Sequence, residues 1–330
     1  MRIIERIGEG EPATVYVGEL DDGSCIEMVE SIQPPISRRE KWVFVISTLK
    51  GCPVGCPICD AGWGYRGKLT RAELLAQIRF LISTRFPDLR GETGRLKIQF
   101  ARMGEPAFNS AVLELLETLK RDIGFDAVQP SISTVAPCGR DLFFEKLIVT
   151  KNRLYRDGWF QMQFSLHTTS PERRRTLIPV RTWSMAQMSA FGERYFEPGD
   201  LKISLNFAAV KGAPLDPERV AEVFSPEKFL VKLTPVNPTR SSIDAGIGGI
   251  IDPDNPDDGV RLVEQFQRYG FETILSIGDL AENRIGSNCG MYVSGVSERS
   301  PRNEENHTPR MESLRKNVPG RAINEMHGEE

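Results

Sequence analysis

The chain has 330 residues, 40% of them hydrophobic and 26% charged, which excludes global disorder and allows one large α/β domain with attachments. Lys plus Arg (42) nearly balances Asp plus Glu (45), for a net charge of −3, which argues against a surface that is wholly a nucleic-acid clamp but leaves room for a local basic patch. No apolar run approaches the roughly 18–20 residues of a membrane span, and the N-terminal MRIIERIGEGEP lacks the apolar core of a signal peptide, so a soluble, cytoplasmic chain is expected.

In chain order, residues 1–30 read as short strands, with Thr14–Glu19 and Ser24–Val29 alternating around the turn Asp21-Asp22-Gly23 until Pro34-Pro35 breaks the pattern. Trp42–Ser47 reads as an apolar strand. Thr70–Thr84 reads as a helix, with Thr70 as N-cap and Glu73 closing a capping box. Next come a strand at Leu96–Ala101, a helix at Ser110–Arg121, a strand at Val128–Ser133, a helix near Arg140–Val149 and a strand at Phe160–Leu166. Further strands are expected at Leu201–Val210, Phe229–Pro235 and Glu272–Ile277, separated by helices near Asp216–Val223 and Gly259–Gly270. Strands alternating with helices of this length indicate parallel βαβ units, in a partly closed barrel or a doubly wound sheet; in both, chemistry collects at the C-terminal ends of the strands. After about Val296 the chain turns polar and reads as a mobile tail; no internal repeat of fixed period is present.

The six cysteines are at 25, 52, 56, 59, 138 and 289. The segment Gly51-Cys52-Pro53-Val54-Gly55-Cys56-Pro57-Ile58-Cys59-Asp60 follows the Trp42–Ser47 strand and supplies three thiolates from one loop as C-x3-C-x2-C. A zinc site normally takes four protein ligands in C-x2-C pairs; no second pair exists, and the nearest histidine is His167. Three thiolates on a cubane iron–sulfur cluster would leave one iron open to an external ligand, an arrangement suited to a cluster that binds and reduces a substrate. Zinc, or three incidental cysteines, are the alternatives.

This spacing after a first strand resembles the radical S-adenosylmethionine (SAM) enzymes, and the resemblance extends over most of residues 14–296 to the RlmN/Cfr-like rRNA adenine methyltransferases. The matching segments occur in that family's order. Residues 14–29, with Asp22-Gly23 and Ile26-Glu27, look like its small hairpin, and Gly67-Lys68-Leu69-Thr70 like the turn that opens its first helix. Met103-Gly104-Glu105-Pro106 with Asn109 is similar to the motif that holds the SAM amino group, and Ser133-Thr134 to a ribose or carboxylate contact. Ser165-Leu166-His167, with Arg174 and Pro179, resembles a further strand-end motif; Pro235-Val236-Asn237-Pro238 resembles a late strand whose Asn contacts SAM. Asn288-Cys289-Gly290 resembles the segment carrying the cysteine that SAM methylates.

The resemblance implies a partial (β/α)6 radical SAM barrel with a small N-terminal β-hairpin extension (1–38), the barrel itself (39–296) and a polar C-terminal tail (297–330). It implies a [4Fe-4S] cluster on Cys52, Cys56 and Cys59, and SAM held by Gly104, Glu105, Pro106, Ser133, Ser165, His167 and Asn237. Cys289 is the expected methyl carrier, and a flavodoxin or ferredoxin the expected external electron donor. A lone His at a strand end is also commonly a hydrogen-bonded structural residue, so for His167 both roles stand open.

The chain departs from the family in three places. The family's second thiol, seven residues before the first cluster cysteine, is here Val45, which can neither take a proton nor form a disulfide. Only about fifty residues precede Cys52, where the family has a separate RNA-binding domain ahead of its barrel. Arginines shortly before the methylated cysteine are replaced by Gly278-Asp279-Leu280-Ala281-Glu282-Asn283, which weakens phosphate contacts. The expected substrate is therefore a small molecule or peptide rather than RNA. RNA methylation, direct hydrogen abstraction without methyl transfer and a non-catalytic SAM-binding protein are the competing readings. Cys138 after the third barrel strand could supply a thiol from another direction or simply pack as a small apolar residue; Cys25 reads as structural.

Overall fold

The computed structural model describes residues 1–8, 12–33, 35–62, 64–85, 94–277 and 292–293. Cys289, the 278–283 segment and the tail expected from 297 to 330 lie outside the described residues.

Three antiparallel strands open the chain: β1 (Arg2–Ile7), β2 (Ala13–Glu19) and β3 (Cys25–Ser31). The β2–β3 turn forms because Gly23 takes the left-handed conformation (φ +76°) while the Asp22 carboxylate accepts from the Ser24 amide at 3.0 Å. β3 then pairs antiparallel with β4 (Trp42–Ile46), so the N-terminal strands are continuous with the main sheet.

From β4 onward strands and helices alternate: the two-residue pair β5 (Leu49–Lys50) and β6 (Gly67–Lys68), α1 (Arg71–Ser83), β7 (Leu96–Phe100), α2 (Ala111–Leu116), α3 (Leu119–Ile123), β8 (Val128–Thr134), α4 (Asp141–Leu154), β9 (Gln161–Ser165), α5 (Pro171–Leu177), α6 (Met185–Tyr195), β10 (Ile203–Ala208), α7 (Pro217–Val223), β11 (Phe229–Thr234), α8 (Arg240–Asp244), α9 (Asp257–Arg268) and β12 (Thr273–Leu275). Among the described residues the main sheet has 10 strands in the order β1-β2-β3-β4-β7-β8-β9-β10-β11-β12, parallel from β4 to β12. Each crossover advances one strand in the same direction, the winding of a barrel rather than of a doubly wound sheet, whose order reverses at a switch point.

The two faces differ in chemistry. Alternate residues of the parallel strands, such as Phe44, Ile98, Ile132, Phe164, Leu205 and Val231, are fully buried and pack with Leu74, Ile78, Leu81, Phe144 and Phe191 of the helices in one core. The other face is apolar on β2–β4, where Ala13, Val15 and Val29 pack with Val45, and turns polar from β7 onward. A parallel strand buried on both sides reads as a continuous apolar run. Strands such as QMQFS (β9) alternate instead, with a half-buried polar face opposite the core.

The expected helix at 110–121 is interrupted at Thr118, whose hydroxyl donates to the Asp122 carboxylate (2.6 Å) and accepts from the Arg71 guanidinium (2.6 Å); α3 starts anew after it with no side-chain cap. Helices α5, α6 and α8 were not among the expected elements. The capping box on α1 is present as expected, with the Thr70 amide donating to Glu73 at 2.7 Å and the Glu73 amide to Thr70 Oγ1 at 3.2 Å.

Candidate active site at the strand ends

The cysteine loop leaves β4 through Ser47-Thr48 and is pinched at its base by the β5–β6 pair, Leu49↔Lys68 and Lys50↔Gly67. Gly51 (φ +79°) starts the loop where a Cβ would lie 2.9 Å from the Tyr65 Cα, so chain reversal and close backbone approach coincide there. Cys52, Cys56 and Cys59 are each half-buried. Cys52 and Cys56 lie against a small apolar cluster of Val54, Val135, Leu177, Ile178, Val210 and Ala213. Burial pushes the Cys52 thiol up to about 11 and Cys56 to about 12, while the backbone N–H groups of Val54, Gly55 and Glu105 favour a thiolate on Cys52. Such thiols ionise when a metal coordinates them, and N–H groups aimed at ligand sulfurs are how proteins adjust iron–sulfur centres. Among the described residues no three His, Cys, Asp or Glu side chains are placed as ligands of a single ion. Each cubane thiolate binds its own iron, so the donor set fits a cluster.

Asp60 anchors the far end of the loop. Its carboxylate accepts from the Arg240 amide (3.1 Å), the Ser241 amide (2.8 Å) and the Ser241 hydroxyl (2.7 Å) at the start of α8. That start follows Asn237, whose carbonyl accepts from the Thr239 amide (2.8 Å) and the Ser242 hydroxyl (3.0 Å). One carboxylate thus joins the cysteine loop to the segment after β11.

Gly104-Glu105-Pro106 follows β7. Gly104 has φ +97°, and a Cβ there would meet the Leu49 side chain at 2.5 Å, so only glycine lets the turn close over the loop's base. Pro106 opens a one-turn 3-10 helix that Glu105 caps. The Glu105 carboxylate is buried and accepts from the Ala107 amide (3.0 Å), the Val135 amide (2.8 Å) and the Thr134 hydroxyl, tying the ends of β7 and β8 together. Burial raises it to about 7 against these hydrogen bonds. Asn109 is a cross-link: its amide donates to the carbonyls of Thr48 and Leu69, both at 2.8 Å, and its oxygen accepts from Ala111 (3.1 Å).

Ser133 and Ser165 lie on the polar face of β8 and β9; the Ser133 hydroxyl accepts from Gln163 (3.2 Å). His167 adopts φ +63°, uncommon for a non-glycine residue, and its backbone N–H donates to the Asn206 carbonyl at 3.2 Å. Its Nδ1 accepts from the Ala208 amide (3.1 Å), which leaves the ring proton on Nε2. Burial and the charge of Arg174 lower it to about 4, so the ring is a neutral donor at physiological pH.

Arg174, on α5, is a central feature whose wiring sequence reasoning did not supply. Its guanidinium donates to the carbonyls of Trp183 (3.1 Å), Val135 (2.9 Å) and Ser165 (3.2 Å) and to the Thr182 hydroxyl, while Nε has no hydrogen-bond partner. Burial lowers it to about 10, and potential charge on Cys56, Cys138 and Glu105 opposes that shift. A buried cation therefore stands beside the cysteine loop, held by backbone oxygens. Cys138 packs partly against the main core.

Just beyond the end of β7 stands a buried pair with no counterpart in the sequence expectations. Arg102 and Glu27 form an ion pair with both side chains 0% exposed, and Glu27 Oε1 also accepts from the amides of Tyr292 (2.8 Å) and Val293 (2.7 Å). Tyr292 packs on the same apolar patch as Val45.

Comparison with known proteins agrees with this architecture. No protein-family profile matches the chain. The chain is 27% identical over 297 residues to a probable dual-specificity RNA methyltransferase RlmN of Frankia alni, covering 86% of this chain and 65% of that protein. A protein of the same name from Acidothermus cellulolyticus is 26% identical over 328 residues, 89% of this chain and 72% of the relative. Another from Mycolicibacterium gilvum is 32% identical over 214 residues, 60% of this chain and 54% of the relative. The chain thus spans 54 to 72% of the length of these relatives. Among solved structures, a radical SAM methyltransferase from Sphaerobacter thermophilus superposes with a TM-score of 0.67 at 18% identity, over 88% of this chain and 80% of that one. The fold is that of a radical SAM methyltransferase, and the chain is a divergent relative of the proteins named RlmN.

Proposed function

We propose that this chain is a radical SAM methyltransferase that passes a methyl-derived carbon through Cys289 to an unactivated carbon of a substrate other than ribosomal RNA. One observation carries the reading: the cysteine loop, the Glu105 turn, the Arg174 guanidinium and the Asn237 segment meet at the C-terminal ends of the parallel strands, where barrel enzymes place their chemistry. Cys52, Cys56 and Cys59 would hold a [4Fe-4S] cluster. That cluster and SAM, when bound, supply reductive cleavage of SAM and the methyl group.

The chain's own residues bind and orient. Glu105, preset by three hydrogen bonds, offers its remaining acceptor capacity to an ammonium, and burial strengthens that contact. Ser133, Ser165 and Asn237 suit hydroxyls and carboxylates, and His167 contributes the Nε2 proton as a donor. Gly104 and Pro106 shape the turn. Cys289 stands three residues before Tyr292 in sequence, a span of at most about 11 Å. Tyr292 and Val45 pack against the same apolar patch of Ala13, Val15 and Val29, and Val45, at the position of the family's second thiol, carries no thiol. Product release by a disulfide at that position is therefore closed to this chain, and the acceptor must lose its hydrogen by another route. The electron for the cluster would come from a flavodoxin- or ferredoxin-type donor.

The relatives' names favour a second reading, methylation of RNA. Both readings meet the same experiment: reconstituted, reduced enzyme is incubated with methyl-deuterated SAM and the peptide carrying Cys289 is weighed. A labelled methyl on Cys289 with S-adenosylhomocysteine formed is expected. Deoxyadenosine alone, with Cys289 unmodified, would replace methyl transfer by direct hydrogen abstraction.

A further inference from the structure

Three basic side chains are buried among the described residues: Arg102, Lys151 and Arg174. Arg102 faces the Glu27 carboxylate and Lys151 the Asp200 carboxylate. Arg174 faces none. It is 7% exposed, and its partners are the carbonyls of Trp183, Val135 and Ser165 and the neutral Thr182 hydroxyl. Its Nε, buried as well, has no hydrogen-bond partner. Glu105 is close in the wiring but makes no ion pair with it, because Val135 stands between them: the Val135 N–H donates to Glu105 at 2.8 Å, and the Val135 carbonyl accepts from Arg174 at 2.9 Å. A charge taken out of water is costly until an anion meets it, and carbonyl dipoles offset only part of that cost.

The same residues lead to the cysteines. Val135, together with Leu177 and Ile178, three and four positions on from Arg174, belongs to the apolar cluster on which Cys52 and Cys56 pack. The guanidinium is thus fastened to the wall that these two cysteines lie against. The Cys56 thiolate and the guanidinium accordingly favour each other's charged form.

We propose that the missing anion of Arg174 is the iron–sulfur cluster, and that this guanidinium sets the cluster's reduction potential. The inference rests on reading Cys52, Cys56 and Cys59 as cluster ligands. An oxidised cubane held by three thiolates is already an anion, and one electron from an external reductant makes it more negative, with no bond broken and no proton moved. A fixed cation beside it, where little water screens the charge, favours the more negative state. Arg174 therefore makes the cluster easier to reduce. Its planar fork, held by acceptors from segments near 135, 165 and 182, keeps the charge in place as the electron arrives.

The test uses the full chain loaded with iron and sulfide, without SAM, titrated anaerobically with dithionite and redox mediators and followed by electron paramagnetic resonance. Iron and sulfide content is read first on the native chain. Uptake of neither overturns the cluster and this inference together, whereas the remaining outcomes bear on Arg174 alone. In R174Q the ratio of reduced to oxidised cluster at a fixed potential is expected to fall at least tenfold, a shift of about 59 mV for a one-electron couple. R174K, which keeps the charge and loses the fork, is expected to recover most of that fall. Failure of R174Q to load a cluster that R174K loads fully supports the same conclusion, since the two differ in charge. Equal potentials in the native chain and R174Q overturn the proposal. So do equal falls in both variants, or equal loss of loading, because hydrogen bonding rather than charge then decides.

Discussion

At the scale of the residue, Glu105 shows how the fold presets a side chain proposed to bind the SAM ammonium. Its carboxylate is oriented by Ala107, Val135 and Thr134 before any ligand arrives. A charge-assisted hydrogen bond to an ammonium contributes about 1.5–3 kcal/mol. Glu105→Gln should therefore weaken SAM binding to the oxidised holoenzyme roughly 10- to 100-fold by calorimetry. It should also lower the melting temperature, because the new amide faces the Val135 N–H donor. SAM affinity unchanged in that variant would remove Glu105 from the SAM site. The motif around Glu105 is contiguous in sequence, so it was legible there. Arg174 was visible only as part of a resemblance: four acceptors from segments near 135, 165 and 182 define its role, and no local pattern encodes such a gathering.

Among the elements, the alternation of strand and helix was legible because parallel strands are bounded by turns and filled with β-branched and aromatic residues. The boundaries that failed have local causes. Helix α5 is a short, arginine-rich PERRRTL whose start is marked by Ser170 and Pro171, with too few apolar positions to show a period. Helix α6 does carry a capping box, Ser184 with Gln187, but weak apolar spacing hid it. The Glu27–Arg102 pair was invisible in sequence because 75 positions separate its members. It joins the start of the β7 turn to β3 and to the backbone of Tyr292 and Val293. Breaking one partner of a fully buried pair leaves an uncompensated charge and costs about 3–5 kcal/mol, whereas removing both costs far less. Arg102→Met should accordingly lower stability by about that amount in urea titration, and Glu27→Gln combined with Arg102→Met should recover most of it. Equal losses in the single and double variants would show that packing rather than charge sets the effect.

On the scale of the whole molecule, the chain is similar to proteins named for RNA methylation, yet its net charge of −3 offers no overall attraction for a phosphate backbone. Binding to phosphates draws its affinity from released counterions, and each neutralised phosphate steepens the loss of affinity with salt. Here acidic residues outnumber basic ones, and arginines are absent from the 278–283 segment. Many of the remaining cations are already committed. Lys50 pairs with Asp22 and Glu73, Lys151 with Asp200, and Arg85 and Arg38 with Glu30. Arg174, a further cation beside the cysteine loop, is buried and held by backbone oxygens. Filter binding of a ribosomal RNA fragment at about 0.1 M salt should thus show no saturable complex, and lowering the salt should bring only weak binding with a shallow dependence on ionic strength. Tight binding that falls several hundred-fold between about 50 and 200 mM salt would place RNA back as the substrate.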